Sequence, residues 1–217
     1  SVLFPSVPLG CAFESGYAPT ERRGRVTGAI GRSLTQIDGR PAAEVYEEWT
    51  GGKIVAPNEG RDSILSRATM FPLGRKAGDM NGIPFHMLLH PANANADGAL
   101  DLFATAPLGE DVCLMLGSEE SLLQRAARIA ATGRDRVGEA EVAGALIVYC
   151  GGCMLAVKDR MNEVAASISQ ALGGAPFLGV FSFGEQGAIL GGETLHGNLM
   201  ISATVFGRQT AAVDSYP

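Results

Sequence analysis

No apolar run in this sequence comes near the roughly 18 residues that a membrane-spanning helix requires. Any stripe of Lys and Arg interleaved with aromatics is missing too. The 17 basic residues are scattered and outnumbered by 23 acidic ones, for a net charge of −6, which argues against a nucleic-acid partner. Cysteine is scarce. Four in 217 residues (Cys11, Cys113, Cys150 and Cys153) make no disulfide framework, and the compartment is read as cytoplasmic. The opening Ser1-Val2-Leu3-Phe4-Pro5 has no basic n-region and is no signal peptide. With no initiator Met and an apolar start, the chain reads as a processed product or a fragment. Neither Ser1 nor Ser182 sits in a Gly-x-Ser-x-Gly elbow.

Apolar residues, by contrast, are plentiful. At 46% hydrophobic and 18% charged, the chain can bury a sizeable core as one large domain or two small ones. The 29 glycines point to tight turns or to backbone lying close to a ligand. Residues 2–9 are apolar but broken by Pro5 and Pro8, which fits an edge strand or arm. Residues 25–37 alternate loosely, and Asp38-Gly39-Arg40-Pro41 forms a turn with Pro41 as the first helical residue. Ala42, Val45, Tyr46 and Trp49 fall at i, i+3, i+4 and i+7, an amphipathic helix closed by Gly51-Gly52. Residues 61–70 fit a short helix or a strand entry.

Short strand candidates follow at 71–74, 84–89, 99–104 and 111–116, with a hairpin loop at 93–98. Ser118 caps a helix whose buried face is Leu122, Ala126, Ile129 and Ala130, ending at Gly133. Residues 143–149 form a continuous apolar run, the signature of a central strand. A second long helix spans 159–172, and apolar strands are expected at 177–183 and 199–206. Strands first, then helices alternating with strands, predict an α+β fold with a mostly antiparallel sheet and helices packed on it. Residues 208–217 read as a flexible tail.

Reactive residues cluster at the tips of three of these elements. Cys150 and Cys153 bracket a Gly-Gly turn at one strand end, Ser182-Phe183-Gly184-Glu185 closes another strand, and His196 precedes the last. A C-x-x-C at a strand end fits a redox pair, half of a zinc site, or thiols lining a ligand pocket; no second C-x-x-C supplies further zinc ligands. Glu185, between glycines, could meet a ligand amine or act as acid or base. Arg61, Asp62 and Arg67 read as a solvated face.

Cys150 and Gly152 in the turn, with Gly179, Gly184, Glu185 and Gly187 in the next motif and His196 in a third, resemble the C-terminal half of the FIST domain. Arg25-Val26-Thr27 with residues 37–42 resembles the junction between the two FIST halves, so the likeness runs over about 25–206. The resemblance implies an end of the N-terminal half at 1–24, a ligand-binding C-terminal-type domain at 25–207 and the tail at 208–217. It implies a bacterial sensory domain that binds a small polar ligand, an amino acid or a derivative, at Cys150, Gly152, Cys153, Gly184, Glu185 and His196. The signal would pass to a signalling protein acting in trans or to a missing domain, with a homo-oligomer left open. Two departures stand out: Cys153 replaces the Arg typical of the turn, and Gly197-Asn198 follows His196 where Asn-Gln-Thr is usual. Alternatives are a haem sensor using one of His86, His90 or His196, and an enzyme using Cys150/Cys153 thiol chemistry or an N-terminal nucleophile.

Overall fold

A computed structural model of the chain describes residues 4–80, 82–188 and 194–208. The first elements are β1 (Leu9–Glu14), β2 (Ala18–Ile30), β3 (Ser33–Ile37), β4 (Arg40–Pro41), α1 (Ala42–Trp49), β5 (Arg61–Ser63) and α2 (Leu65–Ala68). Next come β6 (Leu73–Met80), β7 (Ile83–Leu89), β8 (Pro91–Asn95), β9 (Leu100–Leu102), β10 (Asp111–Leu116) and α3 (Glu119–Asp135). The chain continues through β11 (Val142–Cys150), α4 (Gly151–Ala156), α5 (Met161–Ala171), β12 (Phe177–Ser182), β13 (Glu185–Ala188), β14 (Thr194–Gly197) and β15 (Ile201–Gly207).

These make two sheets and a hairpin. The larger sheet has the order β5-β8-β9-β3-β2-β10-β6-β7, with β4 also paired to β3. The smaller runs β1-β15-β11-β12, and β13 pairs with β14. Among the described residues only β11 and β12 run parallel, because α4 and α5 carry the chain back between them. The α+β, mostly antiparallel architecture expected from the sequence is the observed one.

Helix stripes built the cores as their spacing demands. Ala42, Val45, Tyr46 and Trp49 of α1 are buried against the larger sheet with Leu34, Ile37, Leu73 and Leu100. A capping box opens α3: Ser118 Oγ accepts from Ser121 N–H, and Ser121 Oγ from Ser118 N–H, each at 3.0 Å. Leu122, Ala126, Ile129 and Ala130 then pack with α5 on the smaller sheet. A third cluster (Phe13, Met87 and Met200) joins the two sheets.

Several expectations need correction. The first strand begins at Leu9 rather than ending there: Pro8 has no N–H for a ladder, and pairing starts with Leu9 opposite Phe206. Ser1, Val2 and Leu3 lie outside the described residues, as do 209–217. Pro41 precedes the helix instead of starting it, its backbone held extended by the β4 bridge to β3. Residues 61–70 give both a strand, β5, and a helix, α2. The turn after Cys150 is the first turn of α4. The apolar strand expected at 177–183 is an exposed edge: Leu178 is 64% and Phe183 70% exposed, because among the described residues β12 has one neighbour and no second layer covers it.

The tightest contact in the smaller half is between glycines. A Cβ on Gly10 of β1 would overlap the carbonyl of Gly133 in α3, and one on Gly133 would stand 2.8 Å from Val205 of β15. Helix and sheet therefore touch backbone to backbone. Gly10→Ala should cost about 3 kcal/mol, the high end for overpacking a rigid contact, read as a lowered urea midpoint. An unchanged midpoint would show that α3 does not seat this closely.

Candidate functional site

β11 ends in Cys150, which occupies the N-cap of α4, and Cys153 is the third residue of that helix. Gly151 and Gly152 are small for a reason. The Phe183 ring lies 3.0 Å from where a Gly151 Cβ would stand, and Leu199 lies 3.4 Å from the corresponding point on Gly152. From the larger sheet come His90, between β7 and β8, Leu65 of α2, and Phe103. Together with Cys150, Gly152, Phe183, Glu185, Asn198 and Leu199 they enclose a cavity of about 20 Å³, room for one water molecule.

His90 is fixed from three sides. Its backbone N–H donates to Asn198 Oδ1 at 3.0 Å, its Nε2 lies 3.0 Å from the Leu65 carbonyl, and its ring sits 5.6 Å from that of Phe103. Burial lowers its pKa to about 4, so the imidazole is neutral. Glu185, 2% exposed, accepts from the Met200 N–H through Oε2 at 3.4 Å, while its Oε1 has no partner among the described residues. Burial pushes its pKa up to about 7.

Behind the cavity lies a second polar layer centred on Arg125, whose side chain is completely buried. Nη1 donates to the carbonyls of Ser15 and, at 2.8 Å, Leu199; Nε and Nη2 have no partner among the described residues. The guanidinium carbon lies 4.9 Å from the centre of the Tyr149 ring. Leu199 adopts a left-handed backbone (φ 55), and its carbonyl accepts from Arg125 and, at 3.8 Å, from Cys153 Sγ. Tyr17 Oη donates to the Thr69 carbonyl at 2.8 Å and lies 3.5 Å from Cys153 Sγ. Burial raises the Cys153 pKa, but hydrogen bonding to Cys150, the Arg125 charge and the Tyr17 hydroxyl outweigh it and bring the thiol down to about 6. The hydrogen bond to Cys153, and then burial, hold the Cys150 thiol far above its ordinary value.

Of the six residues singled out in the sequence, Cys150, Gly152 and Glu185 line the cavity. Cys153 lies one layer deeper, with Tyr17 and Arg125. Gly184 and His196 sit at the exposed rim, where a Cβ on Gly184 would stand 3.6 Å from His196 Nε2. His86 lies on β7, away from this cavity, and Ser182 Oγ is spent in a turn with Gly184. Arg61 pairs with Asp101 at 3.2 Å and Arg67 with Asp62.

Arg125, Tyr17 and Asn198 were not singled out. The first had a signal: three residues after Leu122 and four before Ile129, it falls on the apolar stripe of α3. Among the described residues, Arg125 and Glu185 hold the only buried side-chain nitrogens and oxygens without a partner. Larger hollows of about 850 and 580 Å³ elsewhere contain neither residue in their walls. No group of His, Cys, Asp and Glu among the described residues is placed to hold a metal ion.

No curated protein and no solved structure matches the chain. The FIST C domain matches residues 42–188, about two-thirds of the sequence, taking in the Cys150 turn, α4, α5 and Glu185. The chain therefore belongs to the FIST C domain family, a family of sensory domains.

Proposed function

We propose that the cavity beside Cys150 and Glu185 is the receiving site of the sensor, and that its ligand carries an ammonium group, as an amino acid or a derived amine does. The observation that carries this reading is the buried Oε1 of Glu185, without a hydrogen-bond partner among the described residues, on a side chain that lines the cavity. A carboxylate shut away from water with an unused acceptor costs free energy until a donor reaches it, and a cationic donor offsets most. Asn198, His90 and the Cys150 thiol supply the surrounding polar contacts, and Phe103, Leu65 and Phe183 the apolar walls.

Since the cavity has room for only one water molecule, a larger ligand enters only if Phe183 and the segments around it move apart. Leu65, His90 and Phe103 belong to the part of the chain that builds the larger sheet, and Cys150, Glu185 and Leu199 to the part that builds the smaller. Occupancy would thus bias the seating of one sheet on the other, a change that a partner protein or a further domain can read.

Binding of such an amine should depend on the charge of Glu185. Its carboxyl is half ionised near pH 7, so affinity should fall about tenfold per pH unit below that point and level off above it. Thermal-shift titration with amino acids and their decarboxylated amines at pH 6 and pH 8 checks this, with Glu185→Gln as the control. Stabilisation that is equal at both pH values, or that survives in Glu185→Gln, sinks the reading.

Stability should also follow the same group. The folded-state pKa, about 7, exceeds the ordinary value of 4.5, so between these values the folded chain holds a proton that the unfolded chain has lost. Stability therefore declines as pH rises from 4.5 to 7. Glu185→Gln, which keeps an acceptor for Met200 without the charge, should be about 2–3 kcal/mol more stable than the parent at pH 8. At pH 4.5 it should be nearly equal, since a tenfold change in proton affinity is worth about 1.4 kcal/mol. Urea midpoints at the two pH values give the comparison.

A further inference from the structure

Four neighbouring strands of the larger sheet bring a polar row to one of its faces. In the order β3, β9, β8, β5, Ser33 stands opposite Asp101, Asp101 opposite Asn93, and Asn93 opposite Ser63. Cross-strand partners share a face, and the alternate residues Leu34, Leu100, Leu102 and Ala94 are buried on the other. The side chains of the row are short. Around it stand longer ones: Arg61 and Leu65, each two residues from Ser63, Phe103, two from Asp101, and Arg32 at the turn into β3. A short floor inside a long rim leaves a hollow of about 580 Å³. That is within the size range of small-molecule sites.

Arg61 is held from two sides. Its Nη2 pairs with Asp101 at 3.2 Å. With its amide oxygen facing the guanidinium, Asn93 accepts from Nε at 3.2 Å and from Nη2 at 2.6 Å. Nη1 has no partner among the described residues, and Arg32 meets no carboxylate among them. Two guanidinium groups against the single carboxylate of Asp101 leave one positive charge unmatched, in a chain whose net charge is −6. Such a site repels an ammonium group, so amine capture has no use for it. The hollow nevertheless stands back to back with the cavity beside Glu185. Leu65 and Phe103 wall both, and the same two residues hold the ring of His90.

We propose that this hollow is a second ligand site, which takes a small organic acid with a single carboxylate. The carboxylate seats on Arg32 and on the free Nη1 of Arg61, with the Ser33 and Ser63 hydroxyls as further donors. A short apolar body lies against Phe103 and Leu65. The charge count selects the acid group. A monoanion balances the unmatched charge, whereas a phosphate dianion would set its second charge against Asp101. The site goes beyond the amine reading and shares no charged residue with it.

Benzoate is the probe, with benzamide as its uncharged isostere and inorganic phosphate as the competing anion, each titrated into the ligand-free chain and followed by backbone-amide NMR. Benzoate should shift the amides of Ser33, Ser63 and Asn93 saturably, with a dissociation constant below about 10 mM. Benzamide should leave them in place, and phosphate should bind more weakly than benzoate. Arg32→Gln and Arg61→Gln, changes at exposed side chains, should each weaken benzoate about tenfold, the loss expected for a hydrogen bond between charged groups. The proposal is overturned by the absence of a saturable shift, by equal shifts with benzamide, or by tighter binding of phosphate. Unchanged affinity in either arginine variant, or largest shifts at Cys150 and Glu185 instead, overturns it too. Amine binding at Glu185 can fail while benzoate binds here, and the reverse, so the two readings fall separately.

Discussion

The charge of Arg125 is the constraint around which this half of the molecule is arranged. A guanidinium removed from water forfeits several kcal/mol of hydration, and hydrogen bonds to two carbonyls return only part of it. The rest of the neighbourhood is a set of answers to that deficit: the face of Tyr149, the left-handed turn that aims the Leu199 carbonyl inward, and the acidified thiol of Cys153. Because Arg125 is anchored on α3 while its acceptors lie in the β1–β2 turn and before β15, it also fixes how the helix sits on the smaller sheet. The glycine contact of Gly10 with Gly133, farther along the same helix, lets the seating be this close.

Glu185 poses the opposite problem a few residues from the same turn. It is a buried acid whose charge is suppressed, whereas Arg125 is a buried base whose charge persists. Burial raises the proton affinity of a carboxyl enough to neutralise it near pH 7, but cannot do so for a guanidinium. The two layers behave differently for that reason. The outer one can change its charge and so respond to what arrives; the inner one keeps its charge and must be matched.

Periodicity made α1 and α3 legible, since Ala42, Val45, Tyr46 and Trp49, and again Leu122, Ala126 and Ile129, face inward as their spacing requires. The family turn at Cys150 and the Gly184-Glu185 motif led to the cavity. Four things were not legible. An arginine in a helix normally signals solvent, and only the stripe it falls on marks Arg125 as different. The support of His90 by Asn198 joins residues 108 positions apart, a pairing that local pattern does not carry. An apolar run such as 177–183 looks the same whether it is enclosed or at an open edge, because the run records side-chain chemistry and not how many layers cover the sheet. Residues 18–24, with Pro19 and the charged run Glu21-Arg22-Arg23, gave no strand signal, yet form the first half of β2 by pairing with β10.

That open edge has a mechanical consequence. Among the described residues β12 has a backbone row with no neighbour on one side, apolar side chains on its surface, and Phe183 immediately beyond its end. Phe183 is also the residue that rests on Gly151 and walls the cavity. Pressure applied along the outside of the molecule at β12 is therefore delivered, through a lever one residue long, to the door of its interior.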